Sequence, residues 1–264
     1  MTDPVNYTIL LLDIEQFGRR DDVEQAFMRR MLYSVLHETL RSAGIEPTEQ
    51  RLEDRGDSVM ALISPTVPKA KLLHALINET PAMLNANNRL AAASAQVRLR
   101  ITLASGEVAV QELGGALGGA VGWDLNQAFR LLNSDSLRTA LAHQDGPCVL
   151  SVSDSVYQGI VRHGHHGLPV GAFHRITVHG KEGDFPAWVH GTPHPGPTVP
   201  TTSRTEAGSE SRPAPDRSCA PAAFHFLGGS PTFGGNLIGG DQHIVSGGEV
   251  HGDINTGNTV GGDR

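Results

Sequence analysis

The chain has 264 residues, enough for one full domain with further segments, and about 190 of them have the mixed composition of a core-forming domain. A net charge of −7 and the lack of any local Lys/Arg stripe leave no electrostatic footprint for nucleic acid. Cys148 and Cys219 are its two cysteines, which excludes a disulfide scaffold and makes a reducing compartment the expectation. The N-terminal stretch has no basic leader, and its apolar run of Ile9, Leu10, Leu11 and Leu12 is too short to cross a bilayer. The expectation is a soluble, cytoplasmic protein with neither membrane nor nucleic acid as partner.

Composition divides the chain into 1–191, 192–222 and 223–264. In the first part, Tyr7–Asp13 reads as a strand apolar enough to be buried on both sides. Val23, Phe27, Met31 and Val35 then recur four apart beside Leu32, Leu36 and Leu40, an amphipathic helix ending near Gly44. Gln50–Glu53 and Ser58–Ile63 read as two strands turning at Arg55-Gly56. Lys69–Ile77 and Ala82–Leu90 read as helical pieces interrupted by Pro81. Val97, Leu99, Ile101 and Leu103 alternate with Arg98, Arg100 and Thr102, a half-buried strand that stops at Gly106. A further helix and a short strand–helix–hairpin end complete the part. The order predicts an α+β fold: a ferredoxin-like βαββαβ antiparallel sheet with helices on one face, plus a C-terminal hairpin.

The second part is rich in Pro, Ser and Thr and reads as a flexible linker with too little apolar surface to offset ordering entropy. The third is Gly-rich. Gly247, Gly252, Gly257 and Gly262 fall at regular steps with Val250, Ile254 and Val260 between them, a crude repeat of short β-prone pieces. Such a tail has no core of its own, so assembly with other copies or recruitment of a protein partner is its expected role.

Two acidic motifs carry the chemistry: LLLDIEQFG around Asp13 and LEDRGDSVMAL around Asp57, each where a hydrophobic strand meets a turn. Either aspartate alone is equally well a strand end or a hairpin cap. Together, from neighbouring strand ends, they are what a pair of hard divalent cations needs, since such ions share oxygen ligands with water and substrate phosphates. A third segment, GWDLNQAFR, has capping-box spacing between Asp124 and Gln127, so a helix starts there and projects Asn126 and Arg130 from one face. The HGHHG run at 163–167 has no fixed metal-ligand spacing.

These three motifs resemble the nucleotide cyclase homology domain of the class III adenylyl and guanylyl cyclases. EDRGD, the RLL after the helix and VSDSVYQGIVRHG are similar in texture to cyclase-homology proteins of high-GC actinobacteria. The resemblance covers about residues 6–190. It implies metal-dependent cyclisation of a nucleoside triphosphate to a 3′,5′-cyclic nucleotide and pyrophosphate, with two divalent ions (Mg2+ or Mn2+) on Asp13 and Asp57. Phe17 matches the phenylalanine beside which backbone amides approach the phosphates, whereas Gln16 departs from the glycine common before it. Asn126 and Arg130 match the amide that orients the ribose and the guanidinium that forks onto the α-phosphate. In the family this helix completes the site of the other subunit, which implies a homodimer. Glu53 stands at the base-reading position and favours GTP weakly, because a carboxylate accepts from guanine N1–H and the 2-amino group. The second selector falls near Gly119, which supplies no hydrogen bond, and a pyrimidine nucleotide remains open. In ITVHGKEGDFPAWVHG, His179 occupies the place of the family's phosphate-binding lysine, so Lys181 takes that role through a shifted register or catalysis is impaired. The alternative function is a catalytically weak nucleotide-binding or scaffold protein of a signalling or conflict-response system, acting through its tail.

Overall fold

The computed structural model describes residues 3–113, 116–180 and 183–191, the side chains of 112, 113 and 116–118 excepted. Lys181, the linker at 192–222 and the Gly-rich tail at 223–264 lie outside the described residues.

The element order is β1 (Val5–Ile14), α1 (Asp22–Ser42), β2 (Gln50–Asp54), β3 (Ser58–Ile63), α2 (Lys69–Asn88), β4 (Leu99–Leu113), β5 (Ala116–Val121), α3 (Trp123–Leu132), α4 (Asp135–His143), β6 (Cys148–Ser153), α5 (Asp154–Gly159), β7 (Phe173–Val178) and β8 (Phe185–His190). The first six strands and helices reproduce the expected βαββαβ order. The sheet runs β2-β3-β1-β4-β6-β8-β7, with β5 folded onto the far end of β4. Its pairings are antiparallel except that of β4 with β6, which is parallel.

The pleat explains how one sheet serves two cores. Successive side chains of a strand point to opposite faces. On β1, Leu10, Leu12 and Ile14 join Leu99, Ile101 and Leu103 of β4 under α1 and α2. Ile9 and Leu11 point the other way, joining Ala104 and Val108 under α3 and α4. The helices of the βαββαβ core thus share one face, as expected, and the later α3 and α4 cover the other. That is why β1 reads as continuously apolar.

Helix α1 opens on a capping box between Asp21 and Glu24, whose amide donates to Asp21 at 2.8 Å. It closes just before Gly44, which takes the left-handed φ of 73° that ends many helices.

Two expectations need correction. Pro81 does not interrupt a helix: α2 runs unbroken through it. Leu76, Thr80 and Leu84 are buried on both sides of the proline, and Thr80 Oγ1 lies 2.8 Å from Thr39 Oγ1 of α1. Packing along this stripe outweighs a proline cost of about 3 kcal/mol. Nor does β4 stop at Gly106. It continues past it to pair Val108 with Val5 and then to carry β5, with a bulge between Gln111 and Glu112. Gly106 marks a close approach: a Cβ there would fall 2.1 Å from the Asp124 side chain.

No helix among the described residues is long and apolar enough to cross a membrane.

Candidate active site

Strand β1 and the β2–β3 turn bring Asp13 and Asp57 together at one edge of the α3/α4 face. Asp13 stands opposite Ser58 of β3 on one side and Arg100 of β4 on the other. The Ile14 amide donates to the Asp57 carbonyl at 3.0 Å, joining the turn to the end of β1. Asp57 is exposed, but Asp13 is only 6% exposed. One Asp13 oxygen, Oδ2, accepts from Arg100 Nε at 3.0 Å and also from Arg100 Nη2. Burial raises the Asp13 carboxyl above its ordinary value of 3.8. Arg100 pulls it back through charge and hydrogen bonding, the Asp57 charge pushes it up, and Arg138 of α4 lowers it.

From the opposite face, Arg29 of α1 fixes the turn that carries Asp57. Its guanidinium donates to the Gly56 carbonyl and to the Asp54 carboxylate, whose other oxygen accepts from the Gly56 amide at 2.8 Å. The Gly56 amide, with Arg29 second, holds the Asp54 carboxyl below its ordinary range. Gly56 itself takes a left-handed φ of 84°.

The donor set at Asp13 and Asp57 suits a hard divalent cation that draws its remaining ligands from water and phosphate. Two carboxylates converge, and among the described residues no group of three or more His, Cys, Asp and Glu forms a complete protein cage. A cation here would also offset the mutual repulsion that helps to raise Asp13.

Helix α3 lies over the same face. Its start differs from the expected capping box: Gly122 is the N-cap and no side chain caps it. The Asp124 carboxylate instead accepts from the Glu107 amide at 3.0 Å, tying the helix to β4. Glycine is required at 122 for space, since a Cβ would lie 2.4 Å from the Glu107 carbonyl oxygen. Asn126 is exposed, and the Arg130 guanidinium lies 5.7 Å from the Trp123 ring, beside Gly180 of the β7–β8 hairpin. Phe129 carries the Arg55 guanidinium 4.5 Å above its ring. Arg55 in turn forms an ion pair with Glu53, its Nη2 2.8 Å from Oε1.

Several solved structures share this arrangement of elements. The guanylyl cyclase Cya2 matches with a TM-score of 0.50 at 17% identity, over 73% of this chain and 95% of that one. The adenylate/guanylate cyclase/hydrolase from Silicibacter pomeroyi matches with a TM-score of 0.50 at 17% identity, over 72% and 99%. A bacterial light-regulated adenylyl cyclase matches with a TM-score of 0.50 at 15% identity, over 72% and 91%. The fold is that of a nucleotide cyclase homology domain. No family model matches the sequence, and no curated protein matches it.

Within this cyclase fold the residues singled out in the sequence are spread over several elements. Asp13 and Asp57 meet at the strand ends. Asn126 and Arg130 share α3. Glu53 points to the α3 face from β2, opposite Met60. Phe17 is half-buried against the main core. The neighbouring Gln16 takes a left-handed φ of 56°, which is the conformation a glycine adopts freely and a glutamine does not. His179 is exposed, and its Nδ1 lies 2.8 Å from Asp184 Oδ2 across the hairpin.

Two cations escaped the sequence reading. Arg100 looked like the polar half of an alternating strand, and its role emerges only when β4 pairs with β1. Arg55 looked like a turn residue, and its partners Glu53 and Phe129 come from two different elements.

Proposed function

We propose that this chain cyclises a nucleoside triphosphate, GTP in preference, to the 3′,5′-cyclic nucleotide and pyrophosphate. The observation that carries the reading is the convergence of Asp13 and Asp57, with Arg100 beside them, at the strand ends of a cyclase fold. The ribose 3′-oxygen forms a bond to the α-phosphorus, the bond from that phosphorus to the bridging oxygen of the β-phosphate breaks, and the hydroxyl proton leaves to water. Asp13 and Asp57 would hold two divalent ions, which when bound lower the pKa of the hydroxyl and neutralise charge on the triphosphate. Arg100 keeps N–H donors beyond the two that Asp13 uses, and they are suited to phosphate oxygens near the carboxylates. Asn126 orients the ribose, and Arg130 places a planar guanidinium on the α-phosphate oxygens as charge builds there. Glu53 accepts from guanine N–H groups.

A homodimer is part of the proposal, with α3 of one subunit facing the carboxylates of the other. The exposure of Trp123 (58%), the first residue of α3, and of Val121 (51%) just before it supports an apolar contact surface there. The engagement of His179 with Asp184 favours a second reading, a domain that binds nucleotide and turns it over weakly, with the tail at 223–264 serving assembly or partner recruitment.

The test is incubation of the purified protein with GTP, ATP, CTP and UTP and Mn2+, followed by mixing of two inactive variants. Asp57→Ala and Arg130→Ala proteins, each inactive alone, are expected to regain partial activity together, because one site of the mixed dimer has every wild-type group. A mixture that stays inactive despite demonstrated subunit exchange removes the shared-site arrangement. Binding without turnover of any nucleotide selects the second reading.

A further inference from the structure

Glu53 and Arg55 are two residues apart at the end of β2, so the pleat directs both to the α3 face, while Asp54 between them points to Arg29 on the other. The Arg55 guanidinium is held twice, by Glu53 Oε1 at 2.8 Å and by the Phe129 ring at 4.5 Å. A guanidinium over an aromatic face and paired with a carboxylate has its position set by both. The second oxygen of the same carboxylate, Glu53 Oε2, is buried and has no hydrogen-bond partner. A buried carboxylate oxygen without a donor is costly to leave so, and an N–H of a bound molecule is the group that would complete it. The side chain as a whole keeps 22% exposure, so Glu53 stands at the edge of this face rather than deep in its core. Strand β5 lies beside β2, and a Cβ placed on its Gly119 would meet nothing within 4 Å, so space is left there.

We propose that Arg55 is the positioning residue for base selection: it holds Glu53 Oε1 so that Oε2 alone is offered to an N–H of the base, an assignment that rests on the nucleotide reading above. With Arg55 in place the carboxylate presents one fixed acceptor to the base edge. Without it the carboxylate rotates, both oxygens hydrate, and bases with and without a donor at that point are held alike.

The experiment compares kcat/KM for GTP, ATP, CTP and UTP in the full-length wild type, Arg55→Ala, Arg55→Lys, Glu53→Ala and the Glu53→Ala/Arg55→Ala double variant, with melting midpoints as a folding control. In Arg55→Ala the spread between best and worst nucleotide is expected to narrow by about tenfold, through a higher KM for the best one with kcat within about twofold. Arg55→Lys, which keeps a cation for Glu53, is expected to recover most of the spread. The double variant should select no worse than Glu53→Ala alone, because Arg55 acts through that carboxylate. A wild-type spread in Arg55→Ala, or losses that add in the double variant, overturns the assignment while leaving cyclisation standing. A wild type that neither turns over nor binds any of the four nucleotides overturns both together.

Discussion

The two faces of the sheet use the same strands for opposite purposes. Toward α1 and α2, every inward residue of β1 and β4 from Leu10 to Ile14 and from Leu99 to Leu103 is aliphatic and buried, and the charges at the edge are closed off by local pairs such as Arg29 with Asp54. Toward α3 and α4, the aliphatic row of Ile9 and Leu11 ends at Asp13, and the row of β4 gives way to Thr102 and Arg100. One face is a fastening, and the other trades apolar packing for a buried charge pair at its edge. Because the pleat alternates, chemistry on one face is held in place by packing on the other, residue by residue.

The sharpest way to break this contrast is at the two carboxylates, which sit on the same face but differ in burial. Asp57→Asn is expected to lower turnover by more than about a hundredfold with little change in stability, since Asp57 is exposed. Asp13→Asn should lower turnover equally but also destabilise the fold, because it leaves Arg100, whose side chain is 13% exposed, without its anion. Asp13 is thus a buried strand end and Asp57 an exposed one. Equal turnover losses with unequal urea midpoints support the assignment. Retained cyclisation in either variant removes the two-metal role.

Arg100→Ala probes the pair from the other side and is expected to cost about 3 kcal/mol at neutral pH, measured by urea unfolding. The sign with pH follows from Asp13, whose carboxyl is raised in the folded state. A raised carboxyl binds its proton more tightly folded than unfolded, so its contribution favours folding in acid and is lost as pH rises through the raised value. Removing Arg100 takes away two of the three influences that lower it, so the deficit of the variant should shrink on acidification. In the metal-free protein, a deficit that stays the same between neutral and acid pH separates Arg100 from the ionisation of Asp13.

The smallest effect is at Gln16, where β1 leaves the sheet. Gln16→Gly relieves a left-handed backbone at φ 56° and is expected to stabilise the chain by about 0.5 kcal/mol, after the extra freedom of glycine in the unfolded state is subtracted. A thermal midpoint raised by about 1–3 °C would show it. An unchanged midpoint means that the turn stores no strain.

Much of the fold was legible because period and length suffice for it. The fourfold recurrence in Val23–Val35 and the aliphatic run before Asp13 specify a helix and a doubly buried strand whatever surrounds them. Pro81 and Gly106 misled, each for a local reason that tertiary packing overrode: α1 holds α2 together across the proline, and the glycine makes room for Asp124 rather than ending a strand. The candidate site divides similarly. Asp13, Asp57, Asn126 and Arg130 stand in motifs whose residue types and spacing carry chemistry within a few positions. Arg100 meets Asp13, and Arg55 meets Phe129, only across elements far apart in the chain.

What the sequence determined by itself was the alternation that assigns each residue to a face and the carboxylates that end the strands, because both depend on neighbours along the chain. Which cation lies beside which carboxylate, how deeply Asp13 is buried and which oxygen of Glu53 is left without a donor were decided by strand register and helix placement alone. Those contacts join residues through space, and a one-residue slip in register would have turned every one of them to the opposite face.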